Sequence, residues 1–143
     1  VGEYVEDAVI IDLFSGSGGL GLEAISRGAK ICYFCDNSAE SIRLTKYNIS
    51  LCGAEGRSRI IAGGYEKALS RINEKADLII LDPPYQSVDI EAVIEKLSEC
   101  GVLRDGGVIA AEHGTAKVLA EAVSGFNKIK EKKYGKVRLS LFS

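Results

Sequence analysis

The chain has 143 residues, with 18 Lys and Arg against 20 Asp and Glu, and so a formal charge of −2. An apolar share of 46% beside 27% charged residues belongs to a folded globular domain, which excludes a disordered chain, and the near-neutral balance excludes a broad nonspecific polyanion binder. No apolar run is long enough to cross a bilayer and no signal peptide opens the chain; the four cysteines, too few for a disulfide scaffold, fit a reducing cytoplasm.

Taken in order, Ala8 to Phe14 reads as a buried strand and Ser15 to Gly19 as a turn. A helix follows from Leu20 to Arg27, ended by Gly28. Lys30 to Cys35 is a second strand closing at Asp36, and Ser38 starts a helix that carries Ile42, Leu44, Ile49 and Leu51 and stops at Gly53. A short strand over Ser58 to Ala62 precedes Gly63-Gly64 and a helix over Tyr65 to Ile72. Leu78 to Leu81 is a fully apolar strand, and Asp89 to Cys100 has helical spacing at Ile90, Val93, Ile94 and Leu97. Then come an Asp-Gly-Gly turn, a strand over Val108 to Ala111, and a helix over Thr115 to Val123. The chain closes with strands over Phe126 to Lys132 and Lys136 to Phe142, joined at Tyr134-Gly135. Strands alternating with helices imply one α/β domain, a doubly wound, mainly parallel sheet whose terminal hairpin adds one antiparallel strand at or near the edge.

Cys32 and Cys35 form a C-x-x-C pair, but they lie within one strand, where residues three apart point to opposite faces. Buried, reduced thiols are therefore expected rather than a redox or metal pair. The chain starts at Val1 and has no methionine, which suggests part of a longer gene product or a trimmed one. His113 follows Glu112 near a strand's carboxyl end and, without a partner carboxylate or a cysteine cluster, reads as a loop residue, while Glu112 is a candidate for the substrate side; no metal-ligand spacing appears anywhere.

Two stretches carry chemistry. Gly16, Gly18 and Gly21 satisfy G-x-G-x-x-G between a strand and a helix, with Asp36 20 residues beyond Gly16, placed to hold ribose hydroxyls. The pattern admits a dinucleotide. Asp12, four residues ahead of Gly16, shifts the balance: a carboxylate repels a pyrophosphate and attracts an ammonium group, such as that of S-adenosyl-L-methionine. Asp12 bonded to loop amides and Asp36 capping a helix are the structural alternatives. The second stretch is Asp82-Pro83-Pro84-Tyr85, at the carboxyl end of an apolar strand, where open α/β sheets bind ligands. The two prolines stiffen the exit. A carboxylate, a carbonyl and an aromatic ring suit a planar base with an exocyclic amine; an ordinary capped strand exit is the bland alternative. In the tail, Lys128, Lys130, Lys132, Lys133, Lys136 and Arg138 face only Glu131 among acids, forming either a solvated edge or a seat for phosphates.

The run Asp12-Leu13-Phe14-Ser15-Gly16-Ser17-Gly18-Gly19-Leu20-Gly21-Leu22-Glu23-Ala24, with Ser26-Arg27-Gly28-Ala29 behind it, resembles the first motif of RsmD-type rRNA methyltransferases. Leu81-Asp82-Pro83-Pro84-Tyr85 resembles their catalytic motif, and Tyr134-Gly135-Lys136 with Leu139 to Phe142 their closing hairpin. The resemblance implies a Rossmann-like methyltransferase fold with a seven-stranded sheet, and methyl transfer from S-adenosyl-L-methionine to a guanine N2 amine in small-subunit ribosomal RNA. Asp12, Phe14, Gly16, Gly18, Gly21, Asp36, Asn37, Gly64 and Asp82 would bind the cofactor; Asp82, Pro83, Pro84 and Tyr85 would carry the chemistry. Ribosomal RNA or a small-subunit particle would be the partner of a monomer that needs no metal and no membrane. Two features depart from the family: its N-terminal basic segment has no match here, and Ala62-Gly63-Gly64 lacks the acid that many relatives place near adenine, so loop amides would stand in. The D-P-P-Y element is shared with enzymes that methylate DNA amino groups and protein glutamine. Those acceptors, a noncatalytic RNA-binding module and an NAD-dependent oxidoreductase remain the competing readings.

Overall fold

The computed structural model describes residues 5–83, 88–114 and 118–143. Strand β1 (Val9–Asp12) is followed by α1 (Gly19–Ser26), β2 (Ile31–Asp36), α2 (Ala39–Leu51), β3 (Ser58–Ala62), α3 (Tyr65–Ser70), β4 (Ala76–Leu81) and α4 (Ile90–Cys100). Strand β5 (Leu103–Gly114) then leads into β6 (Ala122–Val123), β7 (Phe126–Tyr134) and β8 (Val137–Phe142). All lie in one sheet of order β3-β2-β1-β4-β5-β8-β7-β6. The first five strands in that order are parallel, and β8 runs antiparallel between β5 and β7. Chain order reverses between β1 and β4, which opens a crevice at their carboxyl ends.

Alternation along each strand sends neighbouring side chains to opposite faces. Ile11, Cys35, Ile79, Leu81, Ile109 and Ala111 pack with α3 and α4, whereas Ile10, Cys32, Phe34, Leu78 and Val108 pack with α1 and α2. Cys32 and Cys35 thus enter separate cores as free, buried thiols. Burial holds both thiols protonated, with Cys35 raised to about 12. Helix α4 keeps its expected face, burying Ile90, Val93, Ile94 and Leu97, each contributing about 1.5–3 kcal/mol. Asp89 accepts the Ala92 amide at its start, and Gly101, at φ 61°, ends it. On the α1 side, β4, β5 and β8 leave an open apolar groove of about 450 Å³ lined by Val5, Leu78, Ile80, Val108, Leu139 and Leu141, with Glu112 on its wall.

Several expectations change. The helix expected over Thr115 to Val123 is not formed in its described part: 118–121 are irregular and Ala122–Val123 pair with β7. Ser124 and Gly125 both have positive φ, the backbone of a tight two-residue hairpin loop, and Leu119 and Val123 reach the core without a helix. Residues 115–117 lie outside the described set. The added β6 makes eight strands rather than seven. Strand β8 is the antiparallel strand expected near the edge, held between β5 and β7. The joining turn is Gly135-Lys136, one residue later than expected. In α2 the buried face is Ile42, Thr45 and Ile49, while Leu44 and Leu51 are exposed. The Asp105-Gly106-Gly107 stretch is taken into β5 with a register shift against β4 rather than ending a separate turn. His113 lies in β5, not in a loop, with Nε2 2.9 Å from the Ser140 hydroxyl.

Candidate active site

The glycine-rich loop is fastened from two directions. From the end of β2, the Asp36 carboxylate accepts the Gly16 amide at 2.8 Å and the Ser38 amide at 2.9 Å. From α2, the Thr45 hydroxyl donates to the Gly16 carbonyl at 2.9 Å and the Asn48 amide to the Ser17 carbonyl at 2.8 Å. The Asp36 carbonyl also accepts the Gly63 amide at 2.9 Å, so Gly63 is not the free donor that a side-chain-less adenine site calls for. Gly64, beside it, is the N-cap of α3 and has open space where a side chain would stand. Asn37 is exposed in the bend after β2.

The three glycines have distinct physical reasons. Gly16 and Gly18 have φ of 56° and 84°, the left-handed region that turns the chain into α1. Gly21 is different: a Cβ there would stand 2.3 Å from the Phe34 ring and 2.8 Å from the Cys32 sulfur. Its bareness lets α1 lie against β2, a packing requirement rather than a ligand approach.

Asp12, the last residue of β1, is 1% exposed, and neither carboxylate oxygen has a hydrogen-bond partner. Burial raises its carboxyl from 3.8 to about 7; the nearby Gly21 amide opposes the rise without reaching hydrogen-bond geometry, and the charges of Asp82 and Asp36 add to it. An orphaned buried carboxylate is costly and calls for a cationic or donor ligand. Beside it, a cleft of about 390 Å³ is lined by Phe14, Gly16, Ser17, Asp36, Ser41 and Asp82. Phe14 tilts at 47° toward Tyr65 with ring centroids 6.1 Å apart, making an aromatic wall. Asp82 follows β4 directly, half-buried, and desolvation raises its carboxyl. Pro83 is also half-buried; Pro84 and Tyr85 lie outside the described residues.

The structure therefore brings Phe14, Gly16, Asp36 and Asp82 to one crevice, with Asp12 buried close enough to feel the charges of Asp82 and Asp36. Thr45, Asn48 and Ser41 were missed by sequence reasoning; the one signal for Thr45 was a polar residue within the apolar side of an amphipathic helix. Glu112, half-buried in β5, has its carboxyl raised by desolvation and by the Asp82 charge. The basic tail is partly spent internally. The Lys128 ammonium bonds the Leu119 carbonyl at 2.7 Å and Glu131 at 3.0 Å, and Arg138 pairs with Glu131 at 3.1 Å. Lys130, Lys132, Lys133 and Lys136 stay exposed, with Lys132 5.3 Å above the Tyr134 ring. Among the described residues no group of His, Cys, Asp or Glu is placed to hold a metal ion, and no helix is long and apolar enough to cross a membrane.

Residues 1–143 match the family described as conserved hypothetical protein 95. Ribosomal RNA small subunit methyltransferase D of Escherichia coli (strain K12) is 30% identical over 139 residues, covering 96% of this chain and 69% of that protein. YlbH of Bacillus subtilis (strain 168), provisionally named an rRNA methyltransferase, is 30% identical over 145 residues, covering 99% of this chain and 79% of that one. Among solved structures, a conserved hypothetical protein from Streptococcus pyogenes superposes with a TM-score of 0.89 at 30% identity, covering 94% of this chain and 84% of that one. The Escherichia coli methyltransferase yhhF gives 0.87 at 26% identity, with 96% and 76% covered.

Proposed function

From the premise that the chain belongs to the RsmD-type rRNA methyltransferase family, we propose that it transfers a methyl group from S-adenosyl-L-methionine to the exocyclic N2 amine of a guanine in small-subunit ribosomal RNA. The relatives matched over nearly the whole chain are RNA methyltransferases, and the neighbours in structure share their fold. The observation that carries the cofactor reading is Asp12: a fully buried, unpartnered carboxylate behind the glycine loop, in line with Asp82. Such a charge suits the cofactor's ammonium group and repels a pyrophosphate. The Gly16 amide, which a dinucleotide phosphate would seek, is already held by Asp36.

When bound, the cofactor supplies a methyl group on a positively charged sulfonium. Asp12 would hold the ammonium end, the Gly16–Gly18 turn would give the backbone room to approach, and Asp36 would offer its remaining lone pairs to the ribose. Phe14, Asn37 and Gly64 would serve the adenine side. On the acceptor side, the Asp82 carboxylate and the Pro83 carbonyl accept the two N–H groups of the guanine amine. This orients its lone pair toward the methyl group and offsets the charge that develops on nitrogen. The proton then passes to Asp82 or to solvent. Pro84 and Tyr85 complete the acceptor element in this proposal, where Tyr85 would stack on a base turned out of its helix. The 143 residues act as one catalytic domain, a monomer on ribosomal RNA or a small-subunit particle in the cytoplasm, with the exposed Lys130, Lys132, Lys133 and Lys136 available to phosphates.

Calorimetric titration with S-adenosylhomocysteine, with NAD in parallel, tests the cofactor. Binding of the former alone is expected. Binding of NAD alone overturns the reading of Asp12 and the function with it.

A further inference from the structure

The carboxyl edge of the sheet carries one acid on each of four adjacent strands: Asp36 ends β2, Asp12 ends β1, Asp82 follows β4 and Glu112 lies near the end of β5. We propose that Glu112 is the specificity residue of the acceptor site, its carboxylate accepting the N1–H of the guanine whose N2 amine lies against Asp82. The inference rests on the guanine-N2 reading above and extends it to a residue outside the D-P-P-Y element.

Leu81 pairs with Ala111, so Asp82 and Glu112 are neighbours across adjacent parallel strands. Ile80, Ala110 and Glu112 share the groove on the α1 side, while Asp82, just past the end of β4, lines the adjoining cofactor cleft, and its charge reaches Glu112. Neither acid has a hydrogen bond or ion pair among the described residues, and each is half-buried. Two adjacent, partly desolvated, unpaired anions are unfavourable alone. Asp12, orphaned and buried on the same face, extends the row toward the cofactor cleft and is electrostatically coupled to Asp82. The row is therefore built for a ligand that presents several donors in sequence.

Guanine is the base that does so: N2–H and N1–H stand side by side on its Watson–Crick edge. With the amine on Asp82, the next donor falls toward β5. Adenine and cytosine present a bare ring nitrogen beside their amine, which a Glu112 carboxylate repels. Glu112 thereby selects guanine among amine-bearing bases, whereas Asp82 orients whichever amine is present.

The test uses unmodified small-subunit rRNA transcript and the full chain. The guanosine methylated by the wild type is first mapped by mass spectrometry, then replaced with 2-aminopurine, which keeps the amine but makes N1 an acceptor. Glu112→Gln is expected to lower kcat/KM on guanine by roughly 10- to 100-fold and to raise relative use of 2-aminopurine, because its amide can donate to N1. Affinity for S-adenosylhomocysteine stays within about twofold, which reports intact folding and cofactor binding. Glu112→Asp, which keeps the charge, retains the preference for guanine with reduced kcat/KM. An unchanged ratio of guanine to 2-aminopurine in Glu112→Gln overturns the proposal while leaving the methyltransferase reading intact. A wild type that binds S-adenosylhomocysteine but methylates no guanine in the transcript or in undermodified small-subunit particles overturns both.

Discussion

The glycine loop and the carboxylate edge meet in one crevice, yet their polar groups are treated oppositely. In the loop, Asp36, Thr45 and Asn48 each bond a backbone group at 2.8 to 2.9 Å, and the residues between Ser15 and Gly19 are held in place from β2 and α2. At the edge, Asp12, Asp82 and Glu112 accept no hydrogen bond among the described residues. Thr45 and Asn48 have spent their bonds on the fold and Asp36 keeps only its remaining lone pairs, whereas the unbonded acids retain their full capacity for a ligand. The difference separates scaffold from chemistry within a single site.

Substitutions on each side should sharpen that separation. The largest effect is expected on the edge: Asp82→Ala should cut methyl transfer by about a thousandfold, about 4 kcal/mol of barrier, with the unfolding midpoint barely moved. Single-turnover assays beside urea denaturation would show it, and full activity would remove Asp82 from the mechanism. In the loop, Gly21→Ala should do the reverse and destabilise the fold by about 3 kcal/mol, because the new methyl group meets Phe34 and Cys32. A thermal scan reads this directly; an unchanged midpoint would mean that α1 shifts freely.

Asp12 tests the boundary between the two. Its carboxyl is raised from 3.8 to about 7, so the folded chain keeps a proton there that the unfolded chain has released. The stability owed to this group is accordingly greatest below pH 4, falls as pH climbs through about 7, and is lowest above it. Asp12→Asn should gain about 2 kcal/mol at pH 8, the removed charge being partly offset by a buried amide, while cofactor affinity drops at least tenfold. Urea midpoints at pH 5 and pH 8 would reveal a gain confined to the higher pH. The smallest effect belongs to the exposed strap: Asn48→Ala should cost about 1 kcal/mol or less in stability and only a small factor in cofactor affinity.

Much of this was legible in the chain. The apolar run Leu78 to Leu81 and the Ile90-Val93-Ile94-Leu97 stripe stand in the structure as local pattern implies, because each depends on periodicity and on neighbours in sequence. The C-x-x-C pair divided between two cores for the same reason. Where pattern failed, partners distant in sequence decided. Ala122 and Val123 became strand because β7 offered unpaired hydrogen-bonding groups and Ser124-Gly125 could turn tightly. Leu44 and Leu51 face outward while Thr45 is buried, since the loop carbonyl it bonds lies beneath α2.

The sequence by itself determined the order of strands and helices through β5, the turn that Gly16 and Gly18 make possible, and the acids at Asp12, Asp36 and Asp82. Those follow from backbone freedom, side-chain period and charge, which are properties of short stretches. Only the tertiary structure decided that Gly21 answers to Phe34, that Asp36 is tied to the loop amides, that Asp12 is left without a partner, and that Glu112 joins the row. Each of these depends on which strands lie side by side, and strand order is fixed by burying both faces of a twisted sheet at once.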